Sequence, residues 1–194
     1  IEKYECRVRM IDEQGEPVSP IHFLELAKKG RLYRAITRCM IDSAIARFAD
    51  QRHSFSINLS CEDLLDPELA DYIISTVESH AVGQRVIFEI LESEGIENYA
   101  AVRQFIDRAK ALGCLIAIDD FGTGYSNFEH LLRLNVDLIK IDGSLIRQLD
   151  ENPTALTLCR SIVQFAQELG LQTVAEFVHS PAVLKQVKAL GIDF

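Results

Sequence analysis

The chain has 194 residues, of which 48% are hydrophobic and 25% are charged, a composition typical of a globular domain with one core. Its formal net charge of -9 argues against a general DNA- or RNA-binding surface, but leaves room for a small phosphate ligand held through metal ions. The five cysteines have no C-x-x-C spacing, which favours reduced thiols in a cytosolic setting. No apolar run is long enough to span a bilayer, so we expect a cytoplasmic domain. Because the sequence begins at Ile1, we also expect a longer parent protein, with which a membrane anchor elsewhere is compatible.

Strand and helix patterns alternate along the chain. Apolar runs of strand length cover residues 4–10, 54–60, 86–91, 115–118, 136–141 and 171–176, and a further strand is expected to begin at 191–194. Helical spacing and capping signals predict helices that open at Ser19-Pro20 and Asp66-Pro67, and others over 31–48, 98–112, 153–169 and 181–190. We interpret the apolar stripes of the first two helices as core. The second stripe consists of Ile36, Met40, Ile41, Ala44 and Ile45.

This alternation predicts an α/β fold with parallel strands and right-handed crossovers. No glycine-rich first turn marks a doubly wound sheet, so about six such strands favour a (β/α)8 barrel. A complete barrel has eight strands and typically about 250 residues. We therefore expect strand material to be missing at both ends. The sequence contains no internal linker, and residues 1–194 are interpreted as a single, incomplete barrel domain.

The most informative stretch covers residues 115–126. A short apolar run ends at two adjacent carboxylates, Asp119 and Asp120, and a loop with Gly122 and Gly124 follows. In α/β proteins, the carboxyl ends of the strands are where ligands bind. The alternative is an ordinary turn in which one aspartate caps and the other is solvated.

Each predicted strand carries a polar residue where an apolar one would pack better. Taken singly, each has an ordinary explanation, such as an edge strand for Glu5 and Lys140, a hydrogen-bonded core amide for Asn58, or a solvent-facing position for Glu89. Taken together in one parallel array, these residues converge at one barrel mouth. The set consists of Glu5, Asn58, Glu89, Asp119, Asp120, Lys140 and Glu176.

Five carboxylates in one mouth raise each other's pKa, and one or two divalent cations relieve that repulsion. Oxygen ligands without histidine or cysteine suit Mg²⁺ or Mn²⁺ better than Zn²⁺. Two such ions are the usual arrangement for in-line phosphoester displacement. In that arrangement Lys140 can orient the attacking water or neutralise charge, and Arg9 can hold a phosphate.

Six ordered motifs resemble those of the EAL-domain family of cyclic di-GMP phosphodiesterases. The loop D-D-F-G-T-G-Y-S at 119–126 is similar to the family's hallmark loop, and E-C-R-V-R at 5–9 is similar to E-A-L-L-R. The other motifs are I-N-L-S at 57–60, E-I-L-E at 89–92, L-I-K-I-D at 138–142 and A-E-F-V-H at 175–179. The resemblance implies a TIM-like barrel whose first strand runs antiparallel, hydrolysis of cyclic di-GMP to pGpG, and further sensory or GGDEF domains in the parent protein.

The resemblance also implies a role for each matching residue. Glu5, Asn58, Glu89 and Asp119 would bind the first metal. Asp119, Asp120 and Glu176 would serve the second metal and the attacking water, which Lys140 would assist. Arg9 would meet a ligand phosphate, while Glu92 would anchor the glycine loop. That loop, at residues 121–125, is expected to act as a switch, and the region 119–125 is expected to form a homodimer contact.

Four departures from the family pattern leave an alternative open. Arg7 replaces a leucine near the ligand and is a second candidate substrate-binding residue, and Leu91, Phe177 and His179 replace a threonine, a glycine and a glutamate. We expect His179 either to cap the helix at Ser180-Pro181 or to weaken the second metal site. Arg7 and His179 favour a receptor that binds cyclic di-GMP without cutting it. Retention of the Asp pair and of Glu5 favours an active enzyme over that receptor and over a scaffold used only for interaction.

Overall fold

The computed structural model describes residues 3–91, 98–122 and 128–194. In chain order the strands are β1 (Lys3–Cys6), β2 (Met10–Ile11), β3 (Pro17–Val18), β4 (Ser54–Leu59), β5 (Val86–Leu91), β6 (Leu115–Phe121), β7 (Leu138–Ile141) and β8 (Gln172–Ala175). The α-helices are α1 (Leu24–Lys29), α2 (Tyr33–Phe48), α3 (Cys61–Leu65), α4 (Pro67–Ser79), α5 (Tyr99–Ala111), α6 (Phe128–Arg133), α7 (Gly143–Ile146), α8 (Pro153–Glu168) and α9 (Pro181–Leu190). Within these ranges, no helix is both long enough and apolar enough to cross a membrane.

Six strands form a curled half-barrel in the order β1-β4-β5-β6-β7-β8. Every neighbouring pair in this sheet is parallel, and helices cover its outer face, so the predicted α/β barrel class is confirmed. The first strand of this chain, β1, is parallel to β4. The antiparallel strand that the family resemblance implies is therefore not among these six.

Strand alternation separates an apolar outer face from an inner face of mixed character. Fully buried side chains such as Phe55, Phe88 and Ile139 point outward, into the core that the helices cover. The inner face is apolar near the amino ends of the strands, where Ile87, Ala117, Leu138 and Val174 form a small separate cluster. The next inward positions along β4, β5, β6 and β7 are Asn58, Glu89, Asp119 and Lys140. The interior thus becomes polar towards the carboxyl ends of its strands.

The segment that follows β1 differs from the prediction of one long strand. The predicted strand 4–10 ends at Cys6, and Met10–Ile11 pairs instead with Pro17–Val18 in a separate antiparallel hairpin. The side chain of Asp12 closes the turn of this hairpin, because its Oδ1 accepts hydrogen bonds from the backbone N–H groups of Gln14 and Glu16. The helix predicted at Ser19-Pro20 is only a 3-10 turn over Pro20–His22 without a side-chain cap, and α1 begins at Leu24.

The last four residues belong to no strand, yet they begin to pair with β8. The backbone N–H of Phe194 donates to Thr173 O at 3.1 Å, and Ala175 N–H donates to Phe194 O at 2.9 Å. These two bonds have the pattern of a parallel ladder centred on Val174. They agree with the prediction that another strand begins here.

Phe177 occupies a backbone conformation that usually favours glycine. Its φ is 52°, in the left-handed region, and it directly follows Glu176. A β-carbon built on Gly143 would lie 2.3 Å from Cδ2 of the Phe177 ring and 3.2 Å from its β-carbon. On the same ring, the guanidinium carbon of Arg147 lies 4.3 Å from the centroid. The absence of a side chain at position 143 therefore makes room for this aromatic residue.

We predict that Gly143→Ala destabilises the domain through this contact. The added methyl group would displace the half-exposed Phe177 ring, which costs up to about 1–3 kcal/mol, the range found for an overfilled core. In a Phe177→Gly background the same substitution should cost much less, because the ring is gone. Urea unfolding of the two single variants and the double variant measures the coupling. Equal costs of Gly143→Ala in both backgrounds would show that the ring is not the cause.

Candidate metal centre at the barrel mouth

A β-bulge brings the two adjacent aspartates to the same site. Ile118 pairs with Ile139 and Phe121 with Ile141, so that Asp119 and Asp120 both lie opposite Lys140. Asp120 is the extra residue of this bulge. Its φ of 55° is a left-handed conformation that aspartate tolerates better than most side chains. Carboxylate oxygens of Asp119, Asp120 and Glu176 come within 4.8 Å of one another. A regular strand would have turned Asp120 to the opposite face. Both aspartates lie within β6 and Asp119 pairs with Lys140, so the simple turn with one solvated aspartate does not describe them.

Lys140 lies at the centre of three carboxylates that come from different strands. Its Nζ is 2.9 Å from Glu89 Oε2, 2.8 Å from Asp119 Oδ1 and 2.9 Å from Glu176 Oε1. Its side chain is 8% exposed, and Glu89 is fully enclosed beside it. Strand β7 is internal to the sheet, so Lys140 is not an edge residue, and Glu89 does not face solvent.

The charges in this cluster are strongly coupled. Burial lowers the pKa of Lys140, but the carboxylates of Glu89 and Asp119 outweigh it and raise that pKa, so the amine stays charged. Burial raises the pKa of Glu89, against the opposing effect of Lys140. Burial likewise raises the pKa of Glu176. One ammonium therefore faces more negative charge than it neutralises, which is the electrostatic condition for binding a cation.

Glu5 is held on the opposite side of the mouth. Arg7 donates from Nε to Glu5 Oε1 and from Nη2 to Oε2, each at 2.8 Å, and Asn58 Nδ2 donates to Oε1 at 3.2 Å. Burial favours a higher pKa for Glu5, but the bonded guanidinium and the charge of Lys140 outweigh it and lower the pKa. Although β1 is at an edge of the described sheet, Glu5 takes part in the site. Asn58 is exposed to the mouth and is not a core amide.

Three further sequence predictions have different outcomes. The side chain of Arg9 is exposed, its Nη1 donates to Val8 O at 2.7 Å, and it does not reach the carboxylate cluster in this structure. Ser180, not His179, caps the last helix, since its hydroxyl accepts a hydrogen bond from Val183 N–H at 3.1 Å; the predicted capping role of His179 is therefore wrong. Glu92 lies outside the described residues, as do residues 123–125 of the predicted switch and dimer region.

The mouth opens into a cleft of about 410 Å³. Its polar side contains Glu5, Asn58, Asp119, Asp120 and Glu176, and its apolar wall comes largely from α2. Tyr33, Ile36 and Met40 line this wall, whereas Ile41 and Ile45 of the same helix are buried in the core. The interpretation of the entire α2 stripe as core is therefore wrong for Ile36 and Met40. The sequence feature that could have indicated this is the width of the apolar stripe, because positions 36 and 40 lie to one side of positions 41 and 45 around the helix.

Asp120 is expected to titrate unusually high in the metal-free protein. Burial and the neighbouring charge of Asp119 raise its pKa from the usual 3.8 to about 6. We predict a carbon-13 NMR titration of its carboxyl group with a midpoint near 6 in the presence of a chelator. Asp119→Asn should lower the midpoint, because it removes one source of repulsion. An unchanged midpoint in that variant would exclude the charge of Asp119 as a cause.

The raised pKa of Asp120 also determines how the stability of the folded protein changes with pH. Between about pH 4 and 6, the folded protein holds the Asp120 proton more tightly than the unfolded chain does. The contribution of Asp120 to the free energy of unfolding therefore falls as the pH rises. The free energy of unfolding of the metal-free protein, compared with Asp120→Asn across this range, should show this decline. A rise with pH in the same comparison would contradict the assignment.

The sequence matches the family model described as EAL domain over residues 1–194. Among curated proteins it is 32% identical to the cyclic di-GMP phosphodiesterase PdeF of Escherichia coli, over 98% of this chain and 26% of that protein. It is 27% identical to the cyclic di-GMP phosphodiesterase PdeA of Borreliella burgdorferi, over 99% of this chain and 30% of that protein. The chain thus spans less than a third of the length of these relatives.

Solved structures share the fold. The FimX EAL domain from Pseudomonas aeruginosa, solved bound to c-di-GMP, has a TM-score of 0.91 and 27% identity, over 98% of this chain and 79% of that chain. The PaMucR phosphodiesterase, solved as a c-di-GMP complex, has a TM-score of 0.88 and 29% identity, over 97% of this chain and 79% of that chain. From the family match along its whole length, together with these likenesses, the chain belongs to the EAL domain family.

Proposed function

We propose that this domain is a metal-dependent phosphodiesterase that hydrolyses cyclic di-GMP to linear pGpG. The observation that carries the proposal is the clustering of Asp119, Asp120 and Glu176 around Lys140 at the polar side of an open cleft. The names of the similar curated proteins support the substrate. The reaction adds one water across one phosphodiester bond, which opens the ring and leaves a terminal phosphate.

The residues of the mouth fit divalent cations that prefer oxygen ligands. Asp119, Asp120 and Glu176 present carboxylate oxygens close enough to share one ion. Glu5, Asn58 and Glu89, together with Asp119, would hold a second one, and the amide nitrogen of Asn58 is turned to Glu5, which leaves its oxygen as a ligand. Such a donor set suits Mg²⁺ or Mn²⁺. When bound, the ions would lower the pKa of the attacking water and offset the charge that develops on the phosphodiester.

The remaining groups of the site would position the reactants. Lys140 keeps Glu89, Asp119 and Glu176 in place. An ammonium has three N–H donors, so Lys140 would have to release one of these carboxylates before it could donate to a water beside them. Tyr33, Ile36 and Met40 offer an apolar surface to the bases on the facing wall of the cleft. Arg7 lines the same cleft and could contact a ligand phosphate there, whereas Arg9 does not line the cleft and donates to Val8 O instead.

A receptor that binds cyclic di-GMP without cutting it is the second candidate. The bidentate ion pair between Arg7 and Glu5 favours it, because that pair engages both oxygens of a carboxylate that the catalytic hypothesis assigns to a metal. The predicted role of Glu92 as the loop anchor, the homodimer contact near 119–125 and the further domains of the parent protein stay predictions.

We predict that the intact protein with Mg²⁺ or Mn²⁺ converts cyclic di-GMP to pGpG, and that Asp119→Asn lowers the turnover at least about a hundredfold, because it perturbs a ligand of both proposed ions. Anion-exchange chromatography of the products measures the rate. Asp107→Asn, on the exposed face of α5, is the matched control and should retain activity. Tight binding of cyclic di-GMP with no pGpG would support the receptor. Near-normal turnover of Asp119→Asn would reject the metal assignment.

A further inference from the structure

Arg7 and Glu5 form an ion pair where a leucine would leave the carboxylate free. The two residues are two positions apart at the end of β1 and share one face of the chain. The planar guanidinium approaches both oxygens of Glu5 at 2.8 Å in a parallel, two-bond geometry. This is the strongest form of carboxylate recognition that a side chain offers.

A divalent cation and this guanidinium cannot share Glu5 in the same geometry. With Asn58 also donating to Oε1, the carboxylate has donors on both oxygens. The arginine fork uses one acceptor direction on each oxygen and Asn58 uses a second one on Oε1, so a cation cannot bind both oxygens while these bonds remain. A dication placed there would also be repelled by the positive charge of Arg7.

The exposure of the pair allows it to exchange. The side chain of Arg7 is 49% exposed and that of Glu5 is 26% exposed, unlike the enclosed cluster around Lys140. A bidentate pair is stronger than an ordinary surface ion pair, but solvent and ions can reach this one, so that its partners can exchange. Arg7 also lines the cleft, so a displaced guanidinium would lie beside a bound anionic ligand rather than in a core.

We propose that Arg7 is an internal competitor for the cation site at Glu5. It engages both oxygens of the carboxylate, and it has to leave before a cation can bind them both. The inference rests on the metal dependence of the proposed function. It assigns to this arginine a weakening of metal affinity that is separate from any contact with substrate.

Direct metal binding tests this inference without turnover. Electron paramagnetic resonance of free Mn²⁺, in the absence of nucleotide, gives the binding curve of each protein, from which a dissociation constant for each of the two proposed sites is fitted; the one at Glu5 is expected to change. Arg7→Leu and Arg7→Gln should bind Mn²⁺ about tenfold more tightly than the wild type, a change of about 1.4 kcal/mol. Arg9→Leu removes the same charge from the same segment without touching Glu5, and should change the dissociation constant far less. Thermal unfolding confirms that each variant is folded.

A magnesium titration tests the displacement itself. In the metal-free wild type, the Arg7 Nε–H group should give a nitrogen-15 NMR signal typical of a bonded guanidinium, and Mg²⁺ should shift it as the pair opens. Equal gains in Arg7→Leu and Arg9→Leu would overturn the proposal, since general charge would then explain both. An Arg7 signal unaffected by saturating Mg²⁺ would overturn it as well. If neither the wild type nor Arg7→Leu bound Mn²⁺, the proposed metal dependence would fail together with the inference; unchanged affinity in Arg7→Leu would remove the inference alone.

Discussion

The contact of one buried ammonium with three carboxylates is the constraint on which the mouth of this barrel depends. Lys140 projects inward from β7 and meets Glu89 of β5, Asp119 of β6 and Glu176, directly after β8. Removing one partner from such a cluster would leave a charge in a poorly solvated place, which typically costs about 3–5 kcal/mol. The cluster therefore links neighbouring strands of the sheet and fixes the positions of these acids relative to one another.

The mouth contains a second cation of a different kind. Lys140 is enclosed and touches three acids, whereas Arg7 is half exposed and touches only Glu5 among the acids whose contacts are described. Both cations reduce the repulsion among the acids. They differ in their access to solvent, because Lys140 is enclosed and the Arg7–Glu5 pair is open to the cleft.

Much of this arrangement could be predicted from the sequence. In a parallel sheet, the alternation of residues along each strand decides which side chains point inward, and the strands all end at the same side. Asn58, Glu89 and Lys140 interrupt apolar runs at inward positions, and the structure brings them to one end of the sheet. The bulge at Asp120 could not be predicted in this way, since it depends on how β6 pairs with β7. Periodicity shows that the α2 stripe is wide, but it does not show which side of the stripe faces the core and which faces the cleft, because both sides are apolar. The early hairpin was missed because each of its strands has only two residues, too few for an alternating pattern to be visible in the sequence.

Two left-handed residues frame the site, Asp120 within β6 and Phe177 immediately after Glu176. Backbone of this kind strongly disfavours β-branched side chains, whatever their polarity or size. Any library that diversifies this mouth is therefore restricted at these two positions by the main chain before contacts with a ligand are considered. Valine, isoleucine and threonine are poor choices there, while asparagine and glycine are admissible. The neighbouring positions 119 and 176 have no left-handed backbone. At these two positions the contacts with Lys140, and not the main chain, limit the choice of residue.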